Sequence, residues 1–133
     1  MKKLIIAATL ALTTGAVHAE MTVEQAQAKK VELTAEMLQN MQSNGPELGI
    51  TPKGMRNLHG TLGAFQGQTH NMITDALTQG RTCDQIKAGL SQIFKEADKE
   101  HPGTPGAAAF WLSLGEWSSA DCIETRARLE AAK

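Results

Sequence analysis

The sequence has no tyrosine, only three phenylalanines and two tryptophans among 133 residues. With so few aromatics, sparse β-branched residues and no segment alternating apolar and polar positions, a sheet is excluded. Cysteine is nearly as scarce, with only Cys83 and Cys122, and no Cys-x-x-Cys-His run exists to attach haem covalently. There is no His-Glu-x-x-His helix and no Gly-x-Ser-x-Gly elbow, so the commonest zinc and serine hydrolase signatures are missing. No repeat of 20–50 residues is present, which excludes a helical solenoid.

What is present begins with three zones at the N-terminus. Lys2 and Lys3 precede an uncharged apolar stretch, Leu4 to Val17, and Val17-His18-Ala19 places small residues where a signal peptidase reads. The stretch is shorter than the about 20 residues that span a bilayer. Residues 1–19 are therefore expected to be a cleaved signal peptide and 20–133 a single domain, exported to a bacterial periplasm. No cysteine follows the cleavage point to carry a lipid, and no membrane insertion is expected after cleavage. Without Lys2 and Lys3, eleven basic residues face fourteen acidic ones, a net charge of −3 with histidine neutral. Nucleic acid and anionic membranes need a basic face, so neither is expected as a partner.

Export makes an even cysteine count read as a bridge. A Cys83–Cys122 disulfide closing about 40 residues is worth about 4 kcal/mol in the chain-entropy account, a large share of a marginal stability.

Helix signals fill the mature chain. Thr22 with Gln25, and Thr82 with Gln85, form capping boxes, and Thr51-Pro52 and Thr104-Pro105 read as caps followed by proline at the first helical position. The first helix is expected to bury a broad face, Val23, Ala26, Leu33, Met37 and Met41 on one side and Ala28, Val31, Ala35 and Leu38 on the other, ending at Asn44-Gly45-Pro46. A second runs from Pro52 to Gln79 on a seam of Met55, Leu58, Leu62, Phe65, Thr69, Met72 and Ala76. Straight, it would be about 42 Å long, so a bend or break is expected near residues 66–69. Gly60, Gly63 and Gly67 lie opposite the seam and are assigned to close packing by another helix of the domain, with a partner backbone as the alternative. The third helix carries Cys83, Ile86, Leu90, Ile93, Phe94 and Ala97 and stops at His101-Pro102-Gly103. A fourth, apolar on most sides, runs to about Trp117 and should be central. Ser118-Ser119 is read as the cap of a last helix carrying Cys122, Ile123 and Leu129. The fold expected is all-α, a compact bundle of four to five helices stapled by one disulfide.

The chemistry-bearing residues form no constellation. His59, His70 and His101 are not spaced three or four apart on a helix, as metal ligation wants, and His59 and His70 would stand more than about 15 Å apart. Met37, Met41, Met55 or Met72 with His101 could in principle ligate haem, and Met37 with Met41 could hold Cu(I), but methionine at helical spacing is core filler. Glu96, Asp98 and Glu100 read as a solvated face. No catalytic residue, metal or cofactor is assigned, and the chain is read as a non-enzyme. The two tryptophans point about 120° apart on a helix. Trp111 shares a face with Ala107 and Leu114 and is assigned to the core. Trp117, beside Glu116, is the candidate exposed anchor, with capping of the core near the bridge as the favoured alternative. The loops 44–52 and 100–106 suit display, so Trp117, Glu116 and His101 are the candidate partner-binding residues.

From Cys83 onward the order is Cys83, Gln85, an apolar helix through Phe94, His101-Pro102, an alanine-rich apolar helix and Cys122. Over about forty residues this resembles the C-terminal half of small periplasmic immunity proteins that neutralise amidase effectors of type VI secretion. The upstream region lacks the further cysteine of that pattern, the third helix is about one turn longer, and the chain continues past Cys122; no inhibitory residue is carried over. The resemblance implies a helical, disulfide-bonded inhibitor that binds another periplasmic protein, with homodimerisation open. Two other roles fit an exported helical domain: an acid-stress chaperone and an accessory part of an envelope or conjugation assembly.

Overall fold

A computed structural model describes residues 20–100, 103, 104 and 106–133; the expected signal peptide and His101 lie outside the described residues. The described chain is all-α. Its helices are α1 (Val23–Asn44), the short α2 (Pro52–Arg56), α3 (Leu58–Thr78), α4 (Cys83–Glu100) and α5 (Ala107–Ala131). Among the described residues there is no strand, and no helix is long and apolar enough to cross a membrane.

Helix starts follow the side-chain caps. Thr22 Oγ1 accepts from the Gln25 backbone N–H at 3.1 Å, and Gln25 Oε1 accepts from Thr22 N–H at 2.9 Å. Thr82 and Gln85 repeat the exchange at 3.2 and 3.0 Å. Each box satisfies two amide donors that a helix end leaves orphaned. Thr51 caps α2 by accepting from Gly54 N–H, with Pro52 behind it.

The break in the second helical stretch falls at Asn57, not at residues 66–69. Asn57 leaves helical geometry at φ −139°, ψ 68°, and its Oδ1 accepts from Gly60 N–H at 3.0 Å. One side chain thus closes α2 and caps α3, while Thr61 Oγ1 donates back to the Gly54 carbonyl and fixes the corner. Gly63 and Gly67 are ordinary helical residues in α3. A Cβ on either would meet nothing within 4 Å, so no helix of the domain packs on that face. Gly80, at φ +86°, ends the stretch: its N–H and that of Arg81 donate to the Leu77 and Ala76 carbonyls, the left-handed turn that glycine takes without strain.

The last two expected helices are one. Ser118 and Ser119 do not cap; their hydroxyls donate to the Leu114 and Gly115 carbonyls one turn back, at 2.6 and 3.2 Å. A serine that satisfies itself this way need not end a helix, and α5 runs unbroken for 25 residues. It starts at Gly106, φ +77°, which has no side-chain cap. The Thr104-Pro105 start is therefore displaced. Gly106 is held instead by α1, whose Asn40 Nδ2 donates to the Gly106 carbonyl at 3.2 Å.

α5 is the axis of the bundle. α1, α3 and α4 each pack on it, α1 also meets α3, and α3 meets α4. The main core joins Leu33, Met37 and Met41 of α1 to Leu62 of α3 and to Phe110, Leu114 and Trp117 of α5. Each such side chain contributes about 1.5–3 kcal/mol by leaving water. A second cluster holds Ile73, Ile86 and Leu90 around the Cys83–Cys122 disulfide. The bridge ties the first residue of α4 to the C-terminal half of α5, with Cα atoms 5.8 Å apart.

The edges of the core differ from the periodicity. On α1 only the Ala26–Leu33–Met37–Met41 side is buried; Ala28 and Ala35 are exposed, and Val31 is 73% exposed. Of the second apolar flank only Leu38 packs against the core, half-buried. On α3 Leu62 and Thr69 of the expected seam are buried, but Ile73 takes the place of Met72, and Phe65 and Met72 reach solvent.

Candidate functional site

The structure buries Trp117 and leaves Trp111 half-buried against the main core. Trp117 is 5% exposed and belongs to the main core, so the exposed-anchor assignment is corrected and core capping is what the structure has. Trp111 lies at the edge, its ring stacked on Phe94 at 5.5 Å between centroids and edge-on to Phe110 at 5.3 Å. Trp117 packs with Leu33, Met37 and Met41 of α1 in the main core, and Lys30 Nζ stands 5.0 Å from the centre of its ring, a favourable cation–π distance.

Trp111 and Glu116 line a groove of 620 Å³ running over α5 between α4 and the N-terminal part of α1. Its floor is Ala108, Leu112, Gly115 and Ser119 of α5; its walls are Leu90 and Phe94 of α4 and Met21 beside α1. Leu112 projects with 67% of its surface exposed. Lys87 and Lys95 stand on the α4 rim and Lys29 on the α1 rim, with the carboxylates Asp98 and Glu116 also present. Exposed apolar surface gathered in one concavity is the ordinary mark of an interaction site, whereas scattered exposed leucines are not. Of the expected partner-binding residues, the groove holds Glu116, excludes Trp117, and leaves His101 outside the described residues. Sequence reasoning missed Leu112, Phe94 and Trp111 as site residues. The signal was the i, i+7, i+11 run of Ala108, Gly115 and Ser119, which lowers one face of an otherwise bulky helix.

A second polar feature lies on the other side of Trp117. Asp121, on the central helix, is 1% exposed. Its Oδ1 accepts from Lys30 Nζ of α1 at 2.6 Å, and its Oδ2 lies 2.8 Å from His70 Nδ1 of α3. Lys30 also reaches Glu124 Oε1 at 3.2 Å. The three long helices α1, α3 and α5 therefore meet on one carboxylate. A buried charge is tolerable only when paired and hydrogen-bonded, and both oxygens of Asp121 are engaged. His70, which no ligand spacing in the sequence singles out, is thus a partner of the buried carboxylate. Among the described residues no hydroxyl or thiol is bonded to the His70 ring, whose one side-chain partner is Asp121; the Thr74 hydroxyl donates to the His70 backbone carbonyl instead, so this pair lacks the nucleophile of an acyl-transfer relay.

Farther out, Arg126 and Glu20 form a two-point ion pair between α5 and the chain just before α1, with one arm at 3.1 Å. The Arg126 hydrogen bond holds the Glu20 carboxyl below the usual carboxylate range, against a smaller opposing effect of burial, and Glu20 raises Arg126 in turn. Among the described residues no group of three or more His, Cys, Asp or Glu side chains clusters as a metal site would. Comparison with protein-family models, with curated proteins and with solved structures gives no match.

Proposed function

We propose that this chain is an exported, non-enzymatic binding domain of the bacterial periplasm that holds a partner protein through the α4–α5 groove, as a stoichiometric inhibitor of the immunity type. The observation that carries the reading is the groove: Trp111, Phe94 and Leu112 place aromatic and aliphatic surface in one open concavity on a rigid, disulfide-stapled axis. Aromatic residues in such positions dominate protein-binding energetics. The bridge supports export, because disulfides persist in oxidising compartments. Affinity capture from the periplasm of the native host tests the proposal. Recovery of one protein at a one-to-one ratio, whose enzymatic activity falls on adding this domain, is expected. Absence of any stoichiometric partner contradicts it.

A second reading, an acid-opened chaperone, draws on the ion pairs between α1 and α5. Arg126 binds the charged form of Glu20 and holds its carboxyl below the usual carboxylate range, so that tie is released as pH falls below that range. Dye binding to exposed apolar surface at about pH 3, with suppressed aggregation of a client, is the expected signature; an unchanged fold there removes this reading.

A further inference from the structure

The helices around α5 do not complete a ring. α1 touches α3 and α3 touches α4, but α4 and α1 share no comparable contact, and the groove is the sector between them. Its floor is a helix and its two walls are helices. Helices pack at interaxial distances of about 8–10 Å, side-chain ridges entering the neighbour's grooves, so a sector bordered by helices can seat one more. The floor is low enough for close approach: Ala108, Gly115 and Ser119 are small, and a Cβ on Gly115 would meet nothing nearer than the Phe94 ring at 3.9 Å. Leu112 rises beside them as a single exposed knob.

On the rims lysines outnumber carboxylates by one. Lys87 and Lys95 on α4 form no ion pair with any described residue, and Lys29 on α1 has only an exposed contact with Glu32 at 3.5 Å. Three lysines thus border the groove against the two carboxylates Asp98 and Glu116, although the whole chain is slightly acidic. Lysine stems can lie along apolar surface while the ammonium groups reach outward. We propose that the groove receives an amphipathic helix of the partner protein, with a small apolar ridge facing Leu112 and Gly115 and aspartate or glutamate flanking it toward Lys87 and Lys95. This inference rests on the protein-binding reading and adds the partner's form and charge to it. An open, helix-walled groove favours a helix over an acyl chain, which is better enclosed by a closed cavity.

The test titrates the intact, disulfide-bonded protein with two fluorescein-labelled synthetic helical peptides that share an alanine and leucine ridge. One has glutamate flanks and the other lysine flanks, and anisotropy reports binding. The glutamate peptide is expected to bind at least about tenfold more tightly. Added salt should narrow that difference, and Lys87→Glu with Lys95→Glu should reverse it. Leu112→Glu and Gly115→Leu should each abolish binding with helical circular dichroism unchanged. Equal or tighter binding of the lysine peptide, or a preference untouched by the lysine reversals, overturns the inference. So does dodecanoate binding in the groove where the glutamate peptide does not. If neither peptide binds while Leu112→Glu still releases the natural partner, the helix inference fails and the binding-domain reading stands. If Leu112→Glu also leaves that partner in place, both fail.

Discussion

Replacing Lys30 by methionine keeps the stem that packs near Trp117 and removes the ammonium group. Asp121 then loses the 2.6 Å contact on Oδ1 and keeps only His70 on Oδ2; Glu124 keeps Arg128 at 3.1 Å. Removing one partner of a fully buried pair costs about 3–5 kcal/mol, because the other charge is stranded. Here Asp121 is buried but Lys30 and His70 reach solvent in part, so water screens some of the loss, and about 2 kcal/mol is expected. For a domain of this size that is a fall in melting temperature of about 6–12 °C. Urea denaturation of Lys30→Met, Asp121→Asn and the double variant isolates the pair. The single losses should exceed their combined effect, with a coupling of about 1 kcal/mol or more. Additive losses, or a Lys30→Met loss below about 0.5 kcal/mol, would show that Asp121 is not held as described.

Other parts of the structure give sharper or opposite effects. Reducing the disulfide, or Cys83→Ser with Cys122→Ser, should cost about 4 kcal/mol by freeing the unfolded chain; an unchanged midpoint of chemical denaturation would contradict a closed bridge. Gly106→Ala should destabilise by about 1–3 kcal/mol, since its φ of +77° suits only glycine and a Cβ would press on Asn44 Nδ2 at 2.6 Å. Gly63→Ala and Gly67→Ala should each stabilise by about 1 kcal/mol, because both positions are helical and open; a loss instead would reveal a neighbour on that face. The stability from the Glu20–Arg126 pair should be present above the usual carboxylate range and lost as pH falls through the lowered Glu20 value, while the raised Arg126 keeps its charge throughout. Glu20→Gln should flatten that acid limb, and identical acid profiles for the two proteins would count against the tie.

How much of the fold was legible in the sequence depended on whether the signal was local. Both capping boxes and the Thr51-Pro52 start form as read, because their partners lie within one turn of the chain. The all-α class and the Cys83–Cys122 pair were equally direct. The errors arise where tertiary neighbours decide. Asn57, not the glycines, carries the helix break, because its side chain caps the start of α3. Ser118-Ser119 resembles a cap until its hydroxyls find carbonyls one turn back. The central helix buries Ser118, Asp121 and Thr125 along with its apolar residues, so its wheel has no clean polar arc from which to tell Trp111 from Trp117. The groove was the least legible feature, since it is made by the absence of a helix between α4 and α1.

Leu112 and Val31 allow the most direct test of the binding surface. Both are strongly exposed aliphatic side chains, 67% and 73%, but Leu112 lies in the groove and Val31 on the outer face of α1. Capture of the proposed periplasmic partner should fall by about tenfold or more with Leu112→Glu and stay at the wild-type level with Val31→Glu. Loss with Val31→Glu and retention with Leu112→Glu would place the binding surface elsewhere and contradict the account.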